Sequence, residues 1–153
     1  MTIPDGATVS TLHAIRFERR YATPLDDLWA AISDPEQVAV WMEYPTLLEP
    51  VVGGRVLIDF APEDPLEGIV SAAETNRVLA YTWGESLIKW ELSAHEQGSR
   101  LVFSHFGVRP EFLTGLCAGW QCFLDNLAAH LAGEPFIDRF EELHRQYKRA
   151  LDL

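Results

Sequence analysis

The feature that most constrains this chain is a run of strand-like segments joined by turns too short for parallel crossovers. Alternating or β-branched apolar residues predict strands at 55–60, 66–74, 78–83, 87–95 and 100–108. Turn-forming residues separate them at Asn76, Gly84-Glu85 and Gln97-Gly98. A parallel connection needs a dozen or more residues, so successive strands must pair antiparallel. The pattern predicts one antiparallel sheet with an apolar face that another element must cover.

One long amphipathic helix follows the last strand and can supply that cover. Its apolar residues recur at helical spacing, and Gly133 ends it. They are Leu113, Leu116, Trp120, Phe123, Leu124, Leu127 and Leu131. A single helix covers the sheet only if the sheet curls around it. The space between sheet and helix is then either a filled core or a ligand cavity.

The chain opens with a strand at 12–21 and two short helices. Thr23 is the expected N-cap of the first helix, with Pro24 in its first turn. Asp34-Pro35 begins the second in the same way. Helical spacing predicts that both helices turn apolar residues inward. These are Leu28, Ala31 and Ile32, then Val38, Trp41 and Met42.

The two ends of the chain differ from this central domain. Residues 1–11 show no period and are predicted to be a flexible tail, and the domain is expected to span 12–133. Beyond it, apolar residues repeat at four and three over 134–153, which predicts an amphipathic helix packed on the domain or on a partner chain. Those residues are Phe136, Phe140, Leu143, Tyr147 and Ala150. A homodimer is therefore possible.

Charge and cysteine content exclude several classes of function. The net charge is −11, and residues 22–76 hold eleven acids against Arg55 alone, which is 1 − 11 = −10. A nucleic-acid binder needs a basic face, and an anionic membrane would repel this segment. No signal segment and no apolar run of membrane-spanning length is visible. Cys117 and Cys122 lie five positions apart on one helix and point to different sides. We expect a soluble, reduced, cytoplasmic protein.

Six short motifs in order are similar to those of a known superfamily. They lie at 22–31, 34–41, 53–55, 79–83, 98–107 and 119–131. They read ATPLDDLWAA, DPE followed by Trp41, GGR, LAYTW, GSRL through SHFG, and GW followed by LAAHL. From about Leu12 to Gly133 the chain resembles START-like (SRPBCC) domains. It most resembles the branch named after the activator of the heat-shock-protein-ninety ATPase.

The resemblance implies an α+β helix-grip (START/Bet v-like) fold. In that fold a curved antiparallel sheet wraps around a long C-terminal helix, with two short helices after the first strand. The superfamily includes lipid carriers, hormone receptors and polyketide cyclases, so the fold does not fix the activity.

No pattern indicates a metal or a cofactor. His95-Glu96 lacks the second His of a zinc-binding H-E-x-x-H helix, and no Cys/His pair has ligand spacing. A nucleophile elbow and a phosphate-binding glycine loop are also absent from the sequence. We therefore predict no metal and no cofactor.

The candidate site residues are the aromatic and small residues expected on the inner faces. The predicted ligand-binding set is Trp41, Tyr81, Trp83, Trp90, Phe103, His105, Gly119, Trp120 and Phe123. Plain core packing is the alternative for each aromatic. Gly115 and Gly119 are costly in a helix, which suggests either close sheet approach or space kept for a ligand. His105 is either a general base or a group that orients a carbonyl ligand, or else a structural histidine hydrogen-bonded to a neighbouring loop.

Three functions remain open. The first is binding of an apolar small molecule, lipid- or polyketide-like, between sheet and long helix, with no catalysis assigned. The second is a cyclase- or hydratase-type enzyme using the candidate catalytic residue His105 with an acid. The third is a protein-interaction domain like a chaperone ATPase activator, associated with stress response.

Overall fold

The computed structural model describes residues 6–61 and 63–151. The elements are β1 His13–Tyr21, α1 Leu25–Ser33, α2 Pro35–Met42, β2 Thr46–Leu48, β3 Arg55–Ile58, β4 Leu66–Glu74, β5 Val78–Trp83, β6 Ser86–His95, β7 Gly98–Val108, α3 Pro110–Ala132 and α4 Phe140–Leu151. Residues 1–5 of the predicted tail, and the last two residues of the predicted tail helix, lie outside the described residues.

The strands form one seven-stranded sheet in the order β1-β7-β6-β5-β4-β3-β2. Every pairing is antiparallel. The curved sheet holds α3 against its inner face, which confirms the predicted helix-grip fold. The register of β6 and β7 places Trp90 opposite Phe103 and Ile88 opposite His105 on that inner face.

The two short helices have different starts, and one prediction is wrong. The side chain of Asp34 accepts a hydrogen bond of 3.0 Å from the Glu36 amide, so the predicted cap of α2 is confirmed. Pro24, not Thr23, is the N-cap of α1, and no side chain caps that helix. Extended Pro24 turns its carbonyl to the amides of Asp27 and Leu28, each at 3.1 Å. The carbonyl of the preceding residue, Thr23, accepts a hydrogen bond of 2.8 Å from Ser99 Oγ of β7, so Thr23 is bonded to the sheet and not to the helix.

Strand β2 was not predicted, because three residues between Pro45 and Pro50 are too few to show alternation. The turn after it depends on glycine. Gly53 has φ 84°, and a Cβ on Gly54 would lie 2.1 Å from the Glu49 carbonyl oxygen. This turn brings Arg55 to Glu49 at 3.5 Å.

The tail helix α4 packs on its own chain. It covers a small apolar cluster of Ile15, Val108, Leu113 and Cys117. Leu143 is 2% exposed, and Tyr147 and Leu151 pack against or beside that cluster. The predicted helix starts too early: residues 134–139 form an irregular linker, and helical structure begins at Phe140.

Candidate functional site

The space between the sheet and α3 is filled by large aromatic side chains. Trp41, Tyr81, Trp90, Phe103 and Trp120 are each at most 1% exposed. The ring centroids of Trp90 and Phe103 are 4.7 Å apart, and those of Phe103 and Trp120 are 4.2 Å apart. Close, tilted contacts of this kind are the usual geometry of packed aromatic cores. These predicted ligand-binding residues therefore lie in packed core, and none of the clefts described below touches them.

Each indole nitrogen in this core has an acceptor. Trp41 Nε1 donates to the Ala31 carbonyl at 2.9 Å, and Trp90 Nε1 donates to Tyr81 Oη at 3.3 Å. The first bond ties α2 to α1, and the second joins neighbouring strands. Buried Trp needs such partners, because an unpaired N–H in an apolar interior is destabilising.

A hydrogen-bonded chain through His105 joins α3 to the start of β6. Trp120 Nε1 donates to His105 Nδ1 at 3.0 Å, and His105 Nε2 lies 2.7 Å from Ser86 Oγ. Ser86 Oγ in turn donates to the Trp83 carbonyl at 2.7 Å. An indole nitrogen can only donate, so Nδ1 must carry the lone pair and Nε2 the proton. His105 Nε2 thus donates to Ser86 Oγ, and every group in the chain is satisfied.

This arrangement sets the chemistry that His105 can perform. Burial lowers the pKa of His105 to about 4, because the imidazolium loses its hydration. The side chain is neutral at pH 7, and its basic nitrogen is occupied by Trp120. Among the hydrogen bonds of residues 6–61 and 63–151, none joins His105 to a carboxylate or a tyrosine hydroxyl. The bonding pattern matches the structural alternative for His105, although its partners are a helix and a strand end and not a loop.

A small cleft opens beside this chain, between the β5–β6 turn and the start of α3. We call it the hairpin cleft. Its volume is about 240 Å3. Its lining residues are Trp83, Glu85, Ser86, His105, Gly107, Val108, Arg109, Phe112 and Leu116. Arg109 and Glu85 form an ion pair of 2.9 Å in its wall. Two of the predicted ligand-binding residues, Trp83 and His105, belong here.

A larger cleft lies on another side of α3, against the linker that leads to α4. We call it the linker cleft. Its volume is about 530 Å3. Its lining residues are Met42, Glu43, Tyr44, Gly119, Cys122, Phe123, Asn126, Phe136, Ile137, Asp138 and Phe140. Two more of the predicted residues, Gly119 and Phe123, belong here.

The glycines of α3 are not explained by close packing. A Cβ added at Gly115 or Gly119 would meet no atom within 4 Å. Close approach of the sheet was one of two interpretations of these residues, and it is excluded. Gly119 lines the linker cleft, whereas Gly115 lines neither of the two clefts. Gly115 and Gly119 are thus two positions of α3 with open space at Cβ, and of the two Gly119 borders the linker cleft.

A row of partly exposed aromatic rings connects the packed core with the linker cleft. Tyr44 and Phe60 have centroids 4.8 Å apart, and Phe60 lies 5.6 Å from Trp83 and 6.3 Å from Phe123. Sequence reasoning missed Tyr44 because it follows a helix end and has no period. It also missed the role of Phe136 and Phe140, whose spacing had assigned them to the tail helix.

Asn126 is another residue of this region that sequence reasoning did not select. It is 8% exposed, and its Nδ2 donates to the Trp41 carbonyl at 3.0 Å and to Glu43 Oε1 at 3.3 Å. Trp41 is in the last turn of α2, where carbonyls lack helical partners. Asn126 therefore caps one helix from the middle of another. Helical periodicity places Asn126 on the polar face of α3 with Gln121 and Asp125, so no pattern in the sequence marks it.

Comparison with known proteins now identifies the family. Residues 22–132 match the family described as Activator of Hsp90 ATPase homolog 1-like protein. The chain belongs to this family. The predicted resemblance to that SRPBCC branch is thereby confirmed. The matched range ends before Phe136, Ile137, Asp138 and Phe140, so one wall of the linker cleft comes from outside the family region.

Solved structures share the family fold. Protein MLL2253 from Mesorhizobium loti is 26% identical, with a TM-score of 0.74 over 80% of this chain and 99% of that one. Protein EF2215 from Enterococcus faecalis, a conserved protein of unknown function, is 19% identical, with a TM-score of 0.78 over 91% and 84%. DynU16, from the dynemicin biosynthetic locus, is 24% identical, with a TM-score of 0.72 over 82% of this chain and 49% of that one. No curated protein matches this chain in sequence.

Residues 6–61 and 63–151 lack two further features. In these ranges no group of three or more His, Cys, Asp or Glu side chains could hold a metal ion. None of their helices is both long enough and apolar enough to cross a membrane.

Proposed function

We propose that this protein binds an apolar small molecule in the linker cleft. The observation that carries the proposal is the cleft itself, at about 530 Å3, whose lining combines polar groups with four aromatic residues, Tyr44, Phe123, Phe136 and Phe140. Small-molecule sites are typically concave, mostly apolar and roughly 300–1,000 Å3 in volume, with a few polar groups that orient the ligand. The hairpin cleft, at about 240 Å3, falls below that range.

A row of aromatic rings leads from the cleft to the packed core. The rings of Tyr44, Phe60 and Phe123 form this row; Tyr44 is exposed, and Phe60 and Phe123 are half-buried. A ligand that displaced these rings would bury apolar surface on both sides, at about 25 cal/mol for each Å2 removed from water. Without ligand, side chains fill the helix-grip interior. When these rings move aside, the interior would hold part of a lipid- or polyketide-like ligand.

Gly119 supports the same site. Glycine inside a helix destabilises it by about 1 kcal/mol relative to Ala, and nothing in the packing requires this one. At this position a side chain would project into open space on the cleft wall. An open cleft is a functional reason to keep the position small.

We assign no reaction to this site. Catalysis by His105 needs an accessible basic nitrogen, and the Trp120 indole occupies that nitrogen. DynU16, which has the same fold, comes from the dynemicin biosynthetic locus. That setting favours a small-molecule role over a chaperone-partner role for this chain.

A thermal-shift screen against sterols, fatty alcohols, flavonoids and aromatic polyketides tests the proposal. A ligand at a hundred times its dissociation constant stabilises by about 2.7 kcal/mol, which at this size is a rise in Tm of about 5–10 °C. For any hit, NMR should move the backbone amides of Cys122, Phe123 and Ile137 more than those of Glu85 and Val108. Larger shifts at the hairpin cleft, or no hit in any class, would refute the proposal.

A further inference from the structure

The polar groups of the linker cleft include two acids and no base. They are the Asn126 amide, the Glu43 and Asp138 carboxylates, the Tyr44 hydroxyl and the Cys122 thiol. No Lys, Arg or His is among its lining residues. Arg139 follows Asp138 in the chain, but its guanidinium lies 3.4 Å from Glu142 and 3.9 Å from Asp125.

The orientation of the Asn126 amide follows from its partners. The Trp41 carbonyl and the Glu43 carboxylate can only accept, so the atom between them must be the amide nitrogen. Both hydrogens of that nitrogen are thereby used. The amide oxygen has no hydrogen-bond partner among the described residues.

That oxygen is nevertheless not sealed in the core. Among the described residues, Tyr21 Oη is the one side-chain polar atom that is both fully buried and without a partner. Asn126 Oδ1 also lacks a partner, so it is not fully buried and retains access to solvent. The residue itself is 8% exposed; it lines the linker cleft and also borders a neighbouring cleft of about 430 Å3 that includes Asp125 and Arg139. Asn126 therefore supplies a fixed acceptor at a surface where polar and apolar groups are mixed. Such an acceptor is complemented by a donor, and leaving it unpaired beneath a bound apolar group would be unfavourable.

The two carboxylates add negative charge to the same cleft. Asp138 caps α4, accepting from the Phe140 amide at 3.0 Å through one oxygen, which leaves the other oxygen open. Glu43 Oε1 accepts from Asn126 at 3.3 Å, and its side chain is exposed at the rim. Aromatic rings stand beside these acids at Tyr44, Phe123 and Phe140. Acceptors, negative charge and ring faces together favour a cation or a neutral donor and disfavour an anion.

We propose that the linker cleft selects an apolar, ring-containing ligand that carries a hydrogen-bond donor, an ammonium or a hydroxyl, and rejects ligands whose polar end is a carboxylate. This inference rests on the proposed function, because it names the chemical class that the same cleft takes. It separates amines, phenols and alcohols from fatty acids and other organic acids.

Matched naphthalene probes test the inference. The full chain is titrated by calorimetry at pH 7 and 0.15 M salt with 2-naphthylmethylamine, 2-naphthylmethanol and 2-naphthoate. We expect the amine to bind at least about tenfold more tightly than the naphthoate, with the alcohol between them. Addition of the amine or the alcohol should also shift the NMR signal of the Asn126 side-chain amide.

Two charge variants distinguish the cleft from the net charge of the protein. Glu43→Gln keeps an acceptor for Asn126 but removes the charge, and Glu96→Gln removes an equal charge at the β6–β7 turn. Both positions have positive φ, at 66° and 54°, and both are exposed. We expect Glu43→Gln to weaken the amine by about threefold and leave the alcohol unchanged, whereas Glu96→Gln should affect neither.

The outcomes separate the two proposals. Naphthoate binding as tightly as the amine in the linker cleft would overturn the donor selectivity and leave the proposed function standing. Equal effects of the two charge variants on the amine would also overturn it, because selectivity would then come from overall charge. No binding of any probe up to millimolar concentration would overturn the proposed function, and the inference with it.

Discussion

Substitution of Gly119 by Leu tests the candidate site with an internal control. Leu at this position would project from α3 into the linker cleft, where a Cβ meets nothing within 4 Å. The matched variant Gly115→Leu stands one helical turn earlier, also in open space, but borders neither the linker cleft nor the hairpin cleft. Both changes replace a poor helix former by a good one, and neither new Cβ meets an atom within 4 Å.

The two variants should therefore be alike without ligand. Gly is about 0.8–1 kcal/mol less favourable than the best helix former in a helix interior, and Leu lies near that best value. We expect each variant to gain up to about 0.8 kcal/mol in free energy of unfolding. At this chain length, that corresponds to a rise in Tm of about 2–3 °C.

The variants should differ once ligand is present. A Leu side chain in a cleft of about 530 Å3 displaces the ligand from the wall beside Phe123, so the ligand-induced rise of about 5–10 °C should disappear in Gly119→Leu. It should persist in Gly115→Leu. Differential scanning fluorimetry with any hit of the screen measures both. Retention of the full rise in Gly119→Leu, or equal loss in both variants, would refute the assignment of the site.

Three further predictions concern the core and the tail. The pKa of His105 is lowered to about 4 from an ordinary 6.5, so the unfolded chain binds more protons than the folded chain below pH 6.5. The contribution of neutral His105 to stability should therefore be complete above pH 6.5 and fall by up to about 3 kcal/mol toward pH 4. The variant His105→Gln should show a shallower dependence of the free energy of unfolding on pH, measured by urea unfolding. Trp120→Phe should cost about 3 kcal/mol by chemical denaturation, from lost volume and the unpaired His105 Nδ1; a loss below about 1 kcal/mol would contradict the hydrogen-bonded chain. Leu143→Ala should destabilise by about 2–4 kcal/mol without changing the molecular mass in light scattering, since α4 packs on its own chain; a fall in mass would show that it joins two copies.

The order of elements and the inward faces could be read from the sequence. Strands β4 and β5 lie at their predicted positions, and Leu28, Ile32 and Val38 are buried as predicted. These features depend on side-chain periodicity within ten or so residues, which a single sequence displays directly. The short β2 shows where this fails, since three residues carry too little pattern.

The state of the interior could not be read in the same way. The aromatic residues of the inner faces were compatible with a cavity or with a core, and the structure packs Trp90, Phe103 and Trp120 together within van der Waals reach. Whether side chains fill a space depends on the distance between sheet and helix. No local pattern encodes that distance, because it results from the packing of all the elements at once.

By itself, then, the sequence determined an antiparallel sheet with a covering helix, an acidic surface and an inward His105. The tertiary structure decided how those parts are used. It joined His105 to Ser86 and Trp120, brought Asn126 to a helix end 85 positions away, and closed a cleft with a linker that periodicity had assigned to a helix. Hydrogen-bond partners, tautomers and clefts depend on contacts between residues far apart in the chain, and only the folded chain brings those residues together.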